Sequence, residues 1–91
     1  MSIESLRNEI DAVDSQMVSL FEKRMKIAGR IAEYKKENSL PVFDKSREEE
    51  VLKKLADLSD EEMKDYVVSL YEKIFELSRS YQEKLNEKTE D

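Results

Sequence analysis

Apolar residues in the first third of the chain recur at alternating steps of three and four residues. Ten positions form this series, which we call the apolar seam: Ile3, Leu6, Ile10, Val13, Met17, Leu20, Arg24, Ile27, Ile31 and Tyr34. A repeat of this kind is typical of a long helix that packs lengthwise against other helices. The pattern therefore predicts a first helix from about residue 3 to about residue 37. Arg24 is the one charged member, and a buried guanidinium is costly unless an anionic group meets it.

A second, shorter helix is expected from about residue 45 to about residue 58. Pro41 confirms the end of the first helix, because proline disfavours helical geometry in the residue before it. Asp44 has the character of an N-cap, and Ser46 with Glu49 at capping-box spacing offers an alternative start. The inner face of this helix is predicted to contain four apolar residues: Val51, Leu52, Leu55 and Leu58. Glu48 lies on the same face, where an apolar residue would be expected.

A third helix is expected from about residue 60 to about residue 85, with Ser59 and Glu62 at capping-box spacing at its start. Two lines of residues run along it. The first is apolar: Met63, Val67, Leu70, Ile74, Leu77 and Tyr81. The second becomes polar toward its end: Tyr71, Phe75, Ser78 and Gln82. The polar tail, residues 86–91, is expected to fray.

These elements predict an all-α fold in which residues 1–91 form a single domain of three helices, long, short and intermediate. The first helix would be about 50 Å long, whereas the second and third would reach only about 20 Å and about 40 Å. One chain therefore cannot cover the apolar seam along its whole length. A second copy of the chain is the expected cover, which predicts a homodimer.

Composition narrows the possible chemistry. Charged residues make up 42% of the chain, glycine and proline occur once each, and cysteine and histidine are absent. Disulfides, thiolate nucleophiles, imidazole bases and the usual zinc sites are thereby excluded. The net charge of −6 argues against nucleic acid as a partner. The apolar runs are too short to span a membrane and the start does not resemble a secretion signal, so a cytoplasmic location is expected.

Polar side chains lie on inward faces of all three predicted helices. They are Arg24, Lys35, Arg47, Glu48, Ser78 and Gln82. Each has a structural explanation: Arg24 could set helix register or pair with Glu48, and Lys35 could complement the dipole at a helix end. Taken together, they favour an interior site for a small anion, because helical bundles build such sites from polar side chains on facing helices. A cationic cluster of this kind runs against the overall negative charge.

The order and spacing of these residues resemble the all-helical, AroQ-class chorismate mutases. The resemblance covers nearly the whole chain and is carried by Leu6-Arg7, Ile10-Asp11, Asp14, Arg24, Lys35, Pro41-Val42, Asp44, Arg47-Glu48, Ser78 and Gln82. It implies an intertwined homodimer in which the long helices pair. It also implies that seven residues of one chain bind the substrate together with Arg7 of the other: Arg24, Lys35, Asp44, Arg47, Glu48, Ser78 and Gln82.

The resemblance implies conversion of chorismate to prephenate, a pericyclic rearrangement that needs no metal or cofactor. Arg7 and Arg24 would bind the two carboxylates, with Ser78 assisting. Lys35 and Gln82 would donate to the ether oxygen, and Glu48 would accept from the ring hydroxyl near the Asp44 backbone. Arg47 would orient Glu48 and the loop.

Two other functions remain open at this point. An isochorismate-pyruvate lyase could use the same fold, and a helical dimerisation module would have no activity. Phe75 and Arg79 are bulkier or more polar than the aliphatic residues that the resemblance leads us to expect in the site wall.

Overall fold

The computed structural model describes residues 1–88, which form three α-helices and one 3-10 turn without any strand. Helix α1 spans Ile3–Glu37, α2 spans Lys45–Leu58 and α3 spans Lys64–Lys88, with the 3-10 turn at Glu61–Met63. The all-α class is as predicted. The third helix begins and ends later than expected, so that residues 86–88 of the polar tail are helical, and residues 89–91 lie outside the described residues.

Short-range hydrogen bonds explain where the helices begin. At the start of α1, the Ser2 hydroxyl accepts from the Ser5 N–H at 3.1 Å and the Ser5 hydroxyl accepts from the Ser2 N–H at 3.0 Å. Asp44 caps α2 by accepting from the Arg47 N–H at 3.0 Å. The capping box predicted at Ser59 is wrong, because the Ser59 hydroxyl donates back to the Leu55 carbonyl and ends α2 instead.

The loop after α1 begins with a left-handed residue. Ser39 has φ 55°, and this geometry lets the Leu40 N–H reach the Lys35 carbonyl at 2.7 Å while the Ser39 N–H reaches the Lys36 carbonyl at 3.3 Å. These two bonds form a Schellman motif, in which glycine is the usual left-handed residue. The motif satisfies the last carbonyls of α1 and directs the loop back toward the helix.

Helix α3 packs against both α1 and α2. Helices α1 and α3 run in the same direction, since Arg24 bonds to Ser78 and, one turn further along both helices, Ala28 bonds to Gln82. A Cβ atom on Gly29 would lie only 3.1 Å from a Leu85 methyl carbon, so the two helices approach closely there.

The buried face of α3 differs from the one that periodicity favoured. Its second line holds the most buried residues, Phe75, Ser78 and Gln82, whereas Leu70 and Leu77 of the first line are about half exposed at 46% and 40%. The prediction that Leu58 belongs to the inner face of α2 is also wrong, because it is 74% exposed at the end of that helix.

The chain is extended for its length. Its radius of gyration is 16.5 Å, compared with about 12 Å for a compact domain of this size. Its accessible surface is 7654 Å², compared with about 5,500 Å² for a compact monomer of this mass. Much of the apolar seam contributes to that surface. None of the helices described here combines the length and the hydropathy needed to cross a membrane.

Candidate active site

Arg24 lies half-buried between α1 and α3. Its Nη1 donates to the Ser78 hydroxyl at 3.0 Å, and its guanidinium carbon lies 5.8 Å and 5.6 Å from the ring centres of Tyr71 and Phe75. Within residues 1–88, Arg24 forms no ion pair with a carboxylate. The aromatic faces and the hydroxyl therefore stabilise the charge, and no carboxylate of residues 1–88 neutralises it.

Gln82 is buried one turn beyond Ser78. Its Nε2 donates to the Ala28 carbonyl at 2.8 Å, a bond that becomes possible because α1 presents small residues where α3 crosses it. A primary amide has two N–H donors, so this bond uses one and orients the other. No buried side-chain nitrogen or oxygen among the described residues lacks a hydrogen-bond partner.

Lys35 is half-buried on the same face of α1 as Arg24, eleven residues further along the helix. Its Nζ donates to the Val42 carbonyl at 2.8 Å, so the ammonium holds the loop while the Lys35 carbonyl accepts from Leu40. An ammonium has three donors, and this one forms no ion pair with a carboxylate in the described part of the chain. Lys35 can therefore bind an external acceptor without releasing the loop.

Glu48 is paired with Arg79 rather than with Arg47. The Arg79 guanidinium donates through Nη1 to both carboxylate oxygens of Glu48, whereas Arg47 Nη1 bonds Glu50 at 2.7 Å on the exposed side of α2. The expectation that Arg47 orients Glu48 is therefore wrong for this chain. Arg47 and Asp44 are exposed, and their contact with each other is the cap at the start of α2.

Two open clefts adjoin these groups. The first, of about 450 Å³, is largely apolar and separates α1 from α3, with Arg24 at one end and Met17, Leu70 and Leu77 among its walls. The second, also of about 450 Å³, lies between α2 and α3 and is lined by Glu48 and Arg79. Phe75 lines the second cleft, and its ring centre lies 5.6 Å from the guanidinium carbon of Arg24, which lines the first.

Arg7 stands apart from Arg24 and Lys35, the other predicted site residues of α1. It is exposed near the start of α1, and the 17 helical residues that separate it from Arg24 correspond to about 25 Å. A single small molecule cannot be held by both arginines of one chain.

Arg79, Tyr71 and Phe75 contact predicted site residues but are not among the residues predicted to bind the substrate. The two aromatic residues lie on the same line of α3 as Ser78 and Gln82, so their spacing held a usable signal. The only sign of a role for Arg79 in the sequence was that an arginine stands where the resemblance predicts an aliphatic residue. Nothing in the sequence indicates that Arg79 contacts Glu48, which is 31 residues away.

The fold and these side chains define an all-helical protein in which Arg24 and Lys35 have no carboxylate partner among the residues that the structure describes. The family model described as chorismate mutase type II matches residues 6–83. The chain therefore belongs to the chorismate mutase type II family.

Curated relatives are longer proteins. The chain is 31% identical over 88 residues to a bifunctional chorismate mutase/prephenate dehydratase of Aquifex aeolicus, a match that covers 91% of this chain and 24% of that protein. It is 37% identical over 83 residues to a protein of the same name from Buchnera aphidicola, covering 89% and 22%. The chain thus spans about a quarter of the length of these relatives.

Solved structures match over nearly their whole length. A chorismate mutase from Helicobacter pylori, crystallised in complex with prephenate, superimposes with a TM-score of 0.86 at 35% identity, covering 93% of each chain. A conserved hypothetical protein from Pyrococcus furiosus has a TM-score of 0.72 at 41% identity, covering 88% of this chain and 93% of that one.

Proposed function

We propose that this chain is a chorismate mutase domain, residues 1–91, that converts chorismate to prephenate in the biosynthesis of aromatic amino acids. The observation that carries the proposal is the pair of half-buried cations, Arg24 and Lys35, which have no carboxylate partner in the described part of a chain whose net charge is −6. A dicarboxylate substrate supplies the missing negative charge. The similarity to a chorismate mutase crystallised with prephenate supports the same substrate class.

The proposed site works by binding and electrostatics alone. Arg24, supported by Ser78, binds one carboxylate, because the guanidinium fork matches carboxylate geometry. Lys35 and Gln82 donate to the ether oxygen as negative charge develops on it, and Glu48 accepts from the ring hydroxyl. Each well-placed donor contributes about 3 kcal/mol of transition-state stabilisation, so three together reach the low end of enzymatic acceleration, about 8 kcal/mol. The reaction requires no metal or cofactor.

We further propose that the active form is a homodimer in which Arg7 of each chain completes the site of the other. The chain exposes roughly 2,000 Å² more surface than a compact monomer of its mass, an amount typical of an obligate interface. The exposed residues include Ile10, Val13 and Met17 of the apolar seam, which are 50% to 60% accessible. A paired α1 would cover them and would bring a second Arg7 toward Arg24. The cytoplasm is the proposed compartment.

The direct test is an assay with purified protein in which the absorbance of chorismate is followed over time. Saturable loss of chorismate with formation of prephenate is the expected result, and sedimentation at micromolar concentration is expected to give a dimer. Turnover of isochorismate with release of pyruvate, and none of chorismate, would instead identify a lyase. A protein that turns over neither compound would be a dimerisation module, and the proposed function would be wrong.

A further inference from the structure

Arg79 connects three segments of the chain at the wall of the second cleft. Its Nη1 donates to both carboxylate oxygens of Glu48, which joins α3 to α2. Its guanidinium carbon also lies 4.9 Å from the ring centre of Phe43, in the loop that precedes α2. The Arg79 side chain thus bonds Glu48, the carboxylate that accepts from the ring hydroxyl in the proposed function. The same side chain also contacts the loop that precedes α2.

This ion pair differs from the exposed ones on the helix surfaces. The pair Arg47–Glu50 joins residues three apart on one helix, and both side chains are more than 60% exposed. Such pairs contribute little, because water and mobile side chains compete with them. Arg79 and Glu48 are only 29% and 24% exposed and lie 31 residues apart, so their contact restricts both side chains and fixes the relative position of two helices.

We infer that Arg79 is a positioning residue that holds the Glu48 carboxylate in the orientation needed to accept from the substrate's ring hydroxyl. The inference rests on the proposed function. A carboxylate offers about four lone-pair directions, and Arg79 uses one on each oxygen, so at least one remains for a hydroxyl donor. Without Arg79, the flexible Glu48 side chain would sample several rotamers, and ordering it would cost free energy when the substrate binds.

Phe43 limits the movement of the arginine in turn. A guanidinium over the face of an aromatic ring is attracted to the ring, and arginine makes such contacts more often than lysine. The position of the loop and the position of Glu48 are therefore linked through Arg79. Phe43→Leu is expected to weaken the same function as Arg79 substitutions, by a smaller factor.

The test compares chorismate with an analogue in which hydrogen replaces the ring hydroxyl. The variants are Arg79→Met, Arg79→Lys and, as a matched control, Arg30→Met, since Arg30 is an exposed arginine of α1 outside the proposed site. Arg79→Met is expected to lower kcat/KM for chorismate about tenfold, a transition-state loss of about 1.4 kcal/mol, and to change kcat/KM for the analogue less than about twofold. Arg79→Lys keeps the charge and is expected to recover part of the loss. Arg30→Met is expected to match the wild type on both substrates.

A double-mutant cycle supplies a second, independent measurement. Once Glu48→Ala has removed the carboxylate, adding Arg79→Met is expected to cause little further loss on chorismate, because both changes abolish one function. If Arg79→Met does not fold, Arg79→Lys alone carries the comparison, and its loss must be confined to chorismate.

Equal losses on chorismate and on the analogue would overturn the inference, because they would show that Arg79 only holds the helices together. Wild-type activity in Arg79→Met would overturn it as well, as would full additivity with Glu48→Ala. A wild-type protein that turns over neither substrate would refute the proposed function, and the inference with it. That outcome is distinct from all the others.

Discussion

The two halves of α1 differ in what covers them. Every residue up to position 20 is exposed, although this stretch carries the most regular part of the apolar seam, with Ile10 at 60% and Leu20 at 65%. From residue 21 onward one face of the helix lies against α3, and Ala28 and Ala32 on that face are only 6% and 1% exposed. One continuous helix therefore has a first half in which every residue is exposed and a second half with one face buried against α3, while Ile27 and Ile31 of the seam remain 43% and 45% exposed.

The difference lies in side-chain size. The second half presents small residues to α3, including Gly29, so that the helices approach closely and Gln82 can reach a backbone carbonyl of α1. The first half presents large apolar side chains that need a wide, complementary surface. In the proposed dimer, the first half provides assembly together with one arginine, Arg7, and the second half provides the remainder of the chemistry of α1.

The largest expected effect comes from a charged residue in the exposed first half of α1, which the proposed dimer buries. Ile10→Asp is expected to abolish both association and activity, because each dimer would bury two carboxylates without partners. Asn8→Asp places the same group on the opposite face of the helix and is expected to leave both properties intact. Sedimentation and chorismate turnover measure the outcome. An active Ile10→Asp monomer would refute the proposed dimer.

A large loss is also expected in the covered half. Lys35→Ala is expected to lower kcat more than tenfold, a loss of over about 1.4 kcal/mol, since the ammonium is assigned to the charge on the ether oxygen. Lys35 also bonds the Val42 carbonyl, so thermal unfolding must be measured in parallel. Lys26→Ala, an exposed lysine of α1, serves as the control. Retention of more than a tenth of the wild-type rate would contradict the assignment.

Gln82→Glu is expected to convert a pH-tolerant enzyme into one that is active mainly in acid. A glutamate has a donor only when it is protonated, whereas the amide donates at every pH. When ionised, it would also face the Ala28 carbonyl oxygen, which the Gln82 amide now approaches at 2.8 Å. The kcat/KM profiles of wild type and variant between pH 5 and pH 8 decide the matter. Unaltered activity at pH 8 would remove Gln82 from the site.

Mixed dimers test whether Arg7 in the first half of α1 and Arg24 in the second half of the partner's α1 act in one site. Arg7→Ala and Arg24→Ala homodimers are each expected to be nearly inactive. In a mixed dimer, the site built on the Arg7→Ala chain keeps its own Arg24 and receives an intact Arg7 from the partner. Half the dimers are mixed after random pairing, and each has one complete site of two, so about a quarter of the activity returns. No recovery after verified subunit exchange would refute the shared site.

The smallest expected effect concerns the loop that follows the covered half. Ser39→Gly is expected to raise the free energy of unfolding by about 0.5 kcal/mol, because glycine adopts the left-handed geometry of Ser39 without steric cost. Ser80→Gly, in the interior of α3, is expected to lower it by about 0.5 kcal/mol. Urea unfolding of both variants measures the difference in sign. A destabilised Ser39→Gly would mean that the Ser39 side chain stabilises the loop.

The sequence by itself determined the features that depend on near neighbours in the chain. The start and end of α1, the cap at Asp44 and the inward positions of polar residues such as Arg24 and Gln82 follow from periodicity and from the chemistry of a few adjacent residues. The apolar seam likewise indicated how much of α1 lacks cover, because periodicity reports which face is apolar. It does not report what meets that face.

Only the tertiary structure decided which faces meet. Arg24 with Ser78 and Gln82 with Ala28 are contacts between residues 54 apart, and their register depends on the packing of α3 against small residues of α1. The partner of Glu48 depended in the same way on how α2 lies along α3. The sequence predicts that the neighbouring Arg47 orients Glu48. In the structure, the geometry of α2 directs Arg47 outward to Glu50, and the packing of α3 against α2 brings Arg79 to the Glu48 carboxylate. Local sequence sets the direction of each side chain on its own helix, and the summed contacts of all three helices decide what it touches.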